Sequence, residues 1–324
     1  MTTQTVKVDA GNHYRSFAYL LKSSGLFWAL ALLCVIASFI SPDFLGHANL
    51  VNVLRQMALA GIVGVGMTFV IITAGIDISI GSIIGVVGVI SAMMLGHGVS
   101  VPLVVVCGLL VGAVLGVLNG LGITLGRVPP FIMTLGMMVA ARGFAMTLSG
   151  GQPVDASAAA DFAWLGWGNL MGVPVPVVVF ALVCAVSYIV LKYTAFGRAI
   201  YAVGSNHEAA RLSGINVRFT TLAVYVISGL LAGVTALILV SRLTVGEPTL
   251  GTGQELEAIT IAVIGGASLF GGEGGVVGTV IGAAVLAVLA NIMNLIGVSP
   301  FTQQIVKGLI IIIAVLLEMR KLRK

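Results

Sequence analysis

Two acids stand out by their surroundings. Asp77 lies in TAGIDISIGS (residues 73–82), between Gly75 and Gly81 and beside Ser79 and Ser82; Glu273 lies in IGGASLFGGEGG (residues 264–275), after an unusually short apolar run. A carboxylate among glycines inside apolar sequence fits a broken membrane helix beside a transport pathway, with nearby hydroxyls satisfying the freed backbone groups. A tight turn carrying a solvated acid fits the same residues, and the pattern leaves both open. Other chemistry finds little support. Cys34, Cys107 and Cys184 sit singly in apolar segments, and His13, His47, His97 and His207 are scattered, so neither a disulfide framework nor a zinc-ligand spacing is present. No G-x-x-x-x-G-K-[ST] segment occurs, so any use of ATP requires another subunit.

The longest basic segment is a polar island, Lys192 to Arg218, between two near-continuous apolar runs. Concentrating charge in one loop suits contact with something soluble, a partner-driven machine more than a self-contained channel. Within it Asn206 can cap a helix, Glu208 falls in the first turn, Arg211 lies near the end and Gly214 suits a left-handed stop. Residues 207 to 213 therefore predict a short helix. Ala209, Ala210 and Leu212 give it a small apolar face suited to a partner's groove; an ordinary amphipathic connector fits the same residues.

The elements that must carry these residues follow from composition. With 59% apolar residues, 8% charged residues and a mean hydropathy of +1.15, the 324-residue chain cannot present a water-soluble surface. Continuous rather than alternating apolar runs exclude a β-barrel and predict an all-α polytopic membrane protein. The net charge of +5 comes from loop lysines and arginines, with no aromatic-interleaved patch for nucleic acid. Spans are expected near 25–41, 53–74, 78–95, 99–125, 131–148, 173–191, 219–240, 258–270, 276–298 and 301–317, ten in all, with glycine-broken junctions. No small-residue cleavage site follows the first, which is read as retained. Twelve of the sixteen basic residues then fall on one side with both termini, which the positive-inside rule makes cytoplasmic. The chain divides into a tail at 1–24, a transmembrane domain at 25–318 containing the 192–218 loop, and a basic tail at 319–324. Glycines at 108, 112, 116 and 120, and at 274, 278 and 282, recur every four residues, as close helix packing requires.

Polar residues within these spans are candidates for a pathway lining. Asn119, Thr134, Asn291 and Asn294 fit that role or interhelical hydrogen bonding equally. Phe131 and Phe144 suit a gate or a lipid-facing position. Arg142 needs a partner or a route to the outer interface. Arg55 and Arg242 are the only expected outer cations, suited to docking an acidic partner or to anchoring helix ends. Asp77, Glu255, Glu257 and Glu273 all fall at expected span ends.

Gly197 to Val217, GRAIYAVGSNHEAARLSGINV, resembles the cytoplasmic coupling segment of ribose-type ABC sugar importer permeases, the inner-membrane components of binding-protein-dependent transport systems. TAGIDISIGS, PTLGTGQELEAIT (248–260), VIGGASLFGGEGGVVGT (263–279) and NLIGVSPFTQQIVKGLIIIIAVLLE (294–318) match the same family, from about Gly25 onward. The resemblance implies a bacterial inner-membrane homodimer, bound to a cytoplasmic ABC ATPase subunit and fed by a periplasmic sugar-binding protein. It implies that Gly204, Asn206, Glu208, Ala209, Ala210, Arg211 and Gly214 form the ATPase-coupling segment; the translocation pathway such a permease needs is expected, from the glycine break and the polar and aromatic positions in the spans, at Asp77, Ser79, Asn119, Phe131, Thr134, Asn291 and Asn294. ATP and magnesium would sit on the ATPase, with no cofactor and no catalysis in this chain. The alternative is an ion-coupled secondary transporter or facilitator, with Asp77, Arg142 or Glu273 as titrating groups.

Overall fold

The computed structural model describes residues 25–157 and 160–322. The predicted tail at 1–24, with Lys7, Arg15 and Lys22, and Arg323 and Lys324 at the other end, lie outside the described residues. The helices among the described residues are α1 (Gly25–Ile40), α2 (His47–Ile72), α3 (Ile80–Gly96), α4 (Val101–Thr124), α5 (Pro130–Ser149), α6 (Ala163–Trp167), α7 (Val175–Tyr193), α8 (Ala195–Ser205), α9 (His207–Leu212), α10 (Val217–Leu243), α11 (Gln254–Ile264), α12 (Val276–Leu295) and α13 (Pro300–Leu322). Two-residue strands β1 (Val154–Asp155) and β4 (Val245–Gly246) pair antiparallel, as do β2 (Asn169–Leu170) and β3 (Val173–Pro174). Helices α2, α4, α5, α7, α10 and α12 are long and apolar enough to cross a membrane; α1, α3 and residues 300–316 are shorter apolar helices. This is an all-α polytopic membrane architecture.

At the centre is α2, in which every residue from Gly61 to Ile72 is buried. Helix α10 packs along α4 through facing small residues. A Cβ on Gly112 would overlap the Gly229 carbonyl oxygen, and one on Gly229 would overlap that of Gly112, so the two backbones touch directly. Gly278 and Gly282 meet α11 in the same way, at Gly265 and Ile261. Both four-residue glycine rows thus serve the packing their spacing predicts, except that Gly274 stands in the turn before α12.

Two segments are only partly helical. After α2 ends, residues 73–79 run without regular helix and α3 begins at Ile80. After α10 ends, the chain passes through β4 and turns before α11 begins at Gln254. The expected span at 258–270 is corrected here. Helix α11 has 11 residues, about 16 Å at 1.5 Å per residue, roughly half the thickness of a bilayer core. Its start is missed by hydropathy because the segment feeding it, VGEPTLGTG, is polar although it is packed inside: Gly246 lies against Gly88 and Ala92, and Gly251 against Gly81 and Ile84. Glu273 is exposed in a glycine turn. The second break therefore lies before Glu255 rather than at Glu273.

Candidate functional site

The first broken crossing builds a polar network. Asp77 is fully buried, and its carboxylate accepts from Ser79 N at 3.0 Å, Ser79 Oγ at 2.6 Å and Ser228 Oγ of α10 at 2.7 Å. Asn119 of α4 donates Nδ2 to Ser79 Oγ at 2.8 Å, and Thr134 of α5 donates to Ile76 O at 3.1 Å. Three helices, α4, α5 and α10, are thereby pinned to a seven-residue unwound segment. A buried carboxylate is tolerable only with such donors, since leaving a charge unsatisfied in a low-dielectric interior is costly. No cation pairs with Asp77 among the described residues. The network is not saturated, because Asn119 Oδ1 is buried without a partner.

The structure places the other pathway candidates apart from this network. Asn291 of α12 pairs with Asn49 of α2 through reciprocal amide bonds of 2.7 and 3.0 Å. Asn294 is exposed and accepts from Gln303 Nε2 at 2.8 Å. Phe131 and Phe144 project from the bundle, each about half exposed.

The second broken crossing is held by charge. Arg142 Nη1 donates to Pro248 O and, at 3.0 Å, to Leu250 O, tying α5 to the segment before α11. The arginine thus finds its partners in backbone carbonyls. Glu255, in the first turn of α11, approaches Gly81 in the first turn of α3 so closely that a Cβ on Gly81 would overlap Glu255 Oε2. Glu257 accepts from Lys307 of α13 at 3.2 Å. Asp77 is thus buried just before the start of α3, while Glu255 and Glu257 are partly buried in the first turn of α11, so all three stand at helix ends as expected.

Two cavities flank the network. One of about 530 Å³ is lined by Ser82, Arg142, Thr252 and Glu255 among others; one of about 320 Å³ is lined by Thr73, Gly75, Arg127, Tyr225 and His207. Along the chain the two touch residues 73–75 and 82, and the Ile76–Ser79 network lies between. Sequence reading placed Ser82 beside Asp77 but missed Ser228, Thr252 and Glu255 as members of this region. Glu255 had a visible signal, since it follows Gly251 and Gly253 much as Asp77 follows Gly75.

Helix α9 forms as the residues predict. Asn206 Oδ1 accepts from Glu208 N at 3.0 Å and Ala209 N at 2.9 Å, Arg211 Nε donates to Glu208 at 3.1 Å, and Gly214 takes φ +82°. The Arg211 guanidinium holds the Glu208 carboxyl below its ordinary range. Ala209, Glu208, Arg211 and Leu212 are exposed, while Ala210 is buried against the body. Gly204, in α8, faces inward. A Cβ there would overlap Ile72 O and lie 2.6 Å from Gly272 N, and Gly272 N itself donates to Ile72 O at 2.9 Å. One glycine contact thus joins the base of α9 to the start of the first broken crossing and to the turn that follows the second. Tyr201 reinforces it, donating to Gly274 O at 2.8 Å.

At the opposite end of α10, Arg55 and Arg242 share one ring. Their guanidinium carbons lie 5.1 and 5.4 Å from the Trp167 centroid, and Trp167 Nε1 donates to Arg242 O at 3.0 Å. Cation–π contact lets two like charges stand together there.

Residues 49–315 match the family model described as branched-chain amino acid transport system / permease component. The ribose import permease protein RbsC of Escherichia coli (strain K12) is 43% identical over 324 residues, covering 99% of this chain and all of that protein. RbsC of Bacillus subtilis (strain 168) is 42% identical over 306 residues, covering 94% of this chain and 95% of that protein. The xylose transport system permease protein XylH of Escherichia coli (strain K12) is 37% identical, covering 85% and 86%. No solved structure matches. A family match across most of the chain, joined to 43% identity end to end, places this protein in the family of membrane permease components so described, a transport subunit and not an enzyme.

Proposed function

We propose that this chain is the inner-membrane permease of an ATP-driven importer for a small neutral sugar, a ribose-like pentose or a hexose. The family description speaks of branched-chain amino acids, but the full-length relatives at 37 to 43% identity carry pentose names. The observation that carries the mechanism is the attachment of α9 through Gly204 to both broken crossings. On this reading a cytoplasmic ATPase grips the exposed face of α9. When its nucleotide sites close, the α8–α9 unit moves as a body and shifts Ile72 and the 271–274 turn. The Ile76–Ser79 segment then re-forms its bonds around Asp77, and the closed constriction between the two cavities opens. Such switching needs contacts that differ between states, and a network of short bonds to an unwound segment supplies them.

Ten crossings fit this reading: α1, α2, residues 73–96, α4, α5, α7, α10, residues 244–264, α12 and α13, with both termini on the cytoplasmic side beside α9. A second copy of the chain and a periplasmic sugar-binding protein complete the machine. The Arg55–Trp167–Arg242 cluster, at the periplasmic end on this topology, is a dock for an acidic edge of that protein.

The test is uptake in proteoliposomes containing permease, ATPase and binding protein. Deleting residues 206–214 abolishes both sugar uptake and ATPase stimulation while the protein remains inserted. Uptake that persists without the ATPase and collapses with an uncoupler supports ion coupling instead, a reading in whose favour stands the fully buried, cation-free Asp77.

A further inference from the structure

The cavity beside Arg142 lies between α3, α5 and the first turn of α11, and Ser82, Met138, Arg142, Met146, Thr252 and Glu255 line it. Its volume, about 530 Å³, falls in the ordinary range of small-molecule sites. Ser82 is fully buried and its Oγ has no hydrogen-bond partner. Buried hydroxyls are nearly always paired, so one left over on a cavity wall is a donor and acceptor available to a polar guest.

The other polar groups complement it. Arg142 engages two backbone carbonyls through Nη1, and its remaining N–H groups have no protein acceptor among the described residues. Glu255 accepts from Gly253 N at 3.2 Å through Oε1 and keeps Oε2 toward α3. A carboxylate takes hydrogen bonds from hydroxyls, a guanidinium gives them to hydroxyl oxygens, and Ser82 does either. Adjacent hydroxyls on one ring need that combination. One cation and one anion leave the cavity near charge balance, which favours a neutral guest over an acid or an amine. Met138 and Met146 offer adaptable apolar surface to the C–H faces of a ring. A partly exposed arginine and glutamate are too costly to face lipid tails, so this wall borders water or protein.

We propose that this cavity is a transit subsite for a neutral sugar, held by adjacent hydroxyls between Glu255, Arg142 and Ser82 on the periplasmic side of the Asp77 constriction. It rests on the permease reading above and adds the residues that touch the cargo. Few hydrogen bonds and no aromatic platform make it weak, as passage requires.

The experiment places a thiol in the cavity as Ser82→Cys, in a chain whose Cys34, Cys107 and Cys184 are replaced by alanine. Labelling by a small water-soluble thiol reagent is followed in the reconstituted permease–ATPase complex, with D-ribose or L-leucine as the probe. Thr252→Cys, on the exposed rim, gives the same readout without altering a buried position of α3. Millimolar D-ribose is expected to slow labelling at both positions and L-leucine to leave it unchanged. Adding Glu255→Gln raises the half-protecting ribose concentration about fivefold or more, as loss of a charge-assisted hydrogen bond does. Absence of labelling at both positions shows the cavity closed to water and overturns the subsite. Labelling unprotected by ribose, with ATP-driven ribose uptake intact, overturns the subsite and leaves the permease reading standing. Protection by L-leucine alone, with no ATP-driven ribose uptake, overturns the sugar reading itself.

Discussion

Replacing Gly204 by alanine tests the link between α9 and the broken crossings. The added methyl would collide with the Ile72 carbonyl oxygen and sit 2.6 Å from Gly272 N, the two atoms that share a 2.9 Å hydrogen bond. Both obstacles are backbone, so neither can rotate away. Overpacking at a rigid contact costs roughly 1–3 kcal/mol, and separating a buried donor from its acceptor costs about 1–3 kcal/mol more. The expected destabilisation is thus about 2–6 kcal/mol. Gly136→Ala in α5 is the control, because nothing lies within 4 Å of its Cβ position. Alanine there gains up to about 1 kcal/mol of helix propensity over glycine. Thermal unfolding in detergent should therefore separate the two variants in opposite directions. In proteoliposomes, ATP-dependent uptake should fall steeply in Gly204→Ala, and ATPase stimulation by loaded binding protein should fall with it. A Gly204→Ala permease as stable and as active as the Gly136→Ala control would show that α8 is not gripped between Ile72 and Gly272, and the mechanical account would go with it.

Three further expectations follow from the same geometry. Asn206→Ala removes the acceptor of Glu208 N and Ala209 N and weakens α9 by about 1 kcal/mol, which local hydrogen exchange in residues 207–212 would register without a change in the rest of the bundle. Asn49→Ala and Asn291→Ala each strand one amide between α2 and α12, at a cost of about 1–2 kcal/mol; in a double-mutant cycle of thermal stability the double variant should lose clearly less than the sum. Because Arg211 lowers the Glu208 carboxyl, the pair contributes fully above the ordinary carboxylate range and is lost as pH falls through the lowered value. In Arg211→Ala the Glu208 titration, followed by carboxyl NMR, should move upward; an unmoved titration would show the ion pair absent in solution.

Hydropathy and local capping rules were sufficient for much of the architecture. The unbroken apolar runs gave α1, α2, α4, α5, α7, α10 and α12, and the α9 helix could be read from Asn206, Glu208 and Gly214 because capping is a property of neighbouring residues. The second break could not be read this way. Residues 245–253 are polar and glycine-rich, so a hydropathy window assigns them to a loop, yet they are threaded between α3 and α5 and paired there by Arg142. Their burial depends on partners about a hundred residues away. The same holds for the pathway residues. Asp77, Ser79, Asn119 and Thr134 converge, whereas Asn291 turns to Asn49, and nothing in the spacing of isolated polar residues distinguishes the two cases.

The two breaks also explain why the interior holds acids at all. A continuous helix satisfies its own backbone and has no use for a buried carboxylate, while an unwound segment exposes N–H groups that need acceptors inside the bundle. Asp77 answers that need at Ser79 N, and Glu255 does so at Gly253 N. Each acid is thus tied to its own local backbone, and on the proposed mechanism opening would exchange those bonds for others. Gly204 stands where a push from α9 reaches the Ile72 end of one break and the Gly272 turn beyond the other. On the mechanism proposed above, a single rigid contact at that point would move both breaks in the same stroke, which a pair of independent loops could not do.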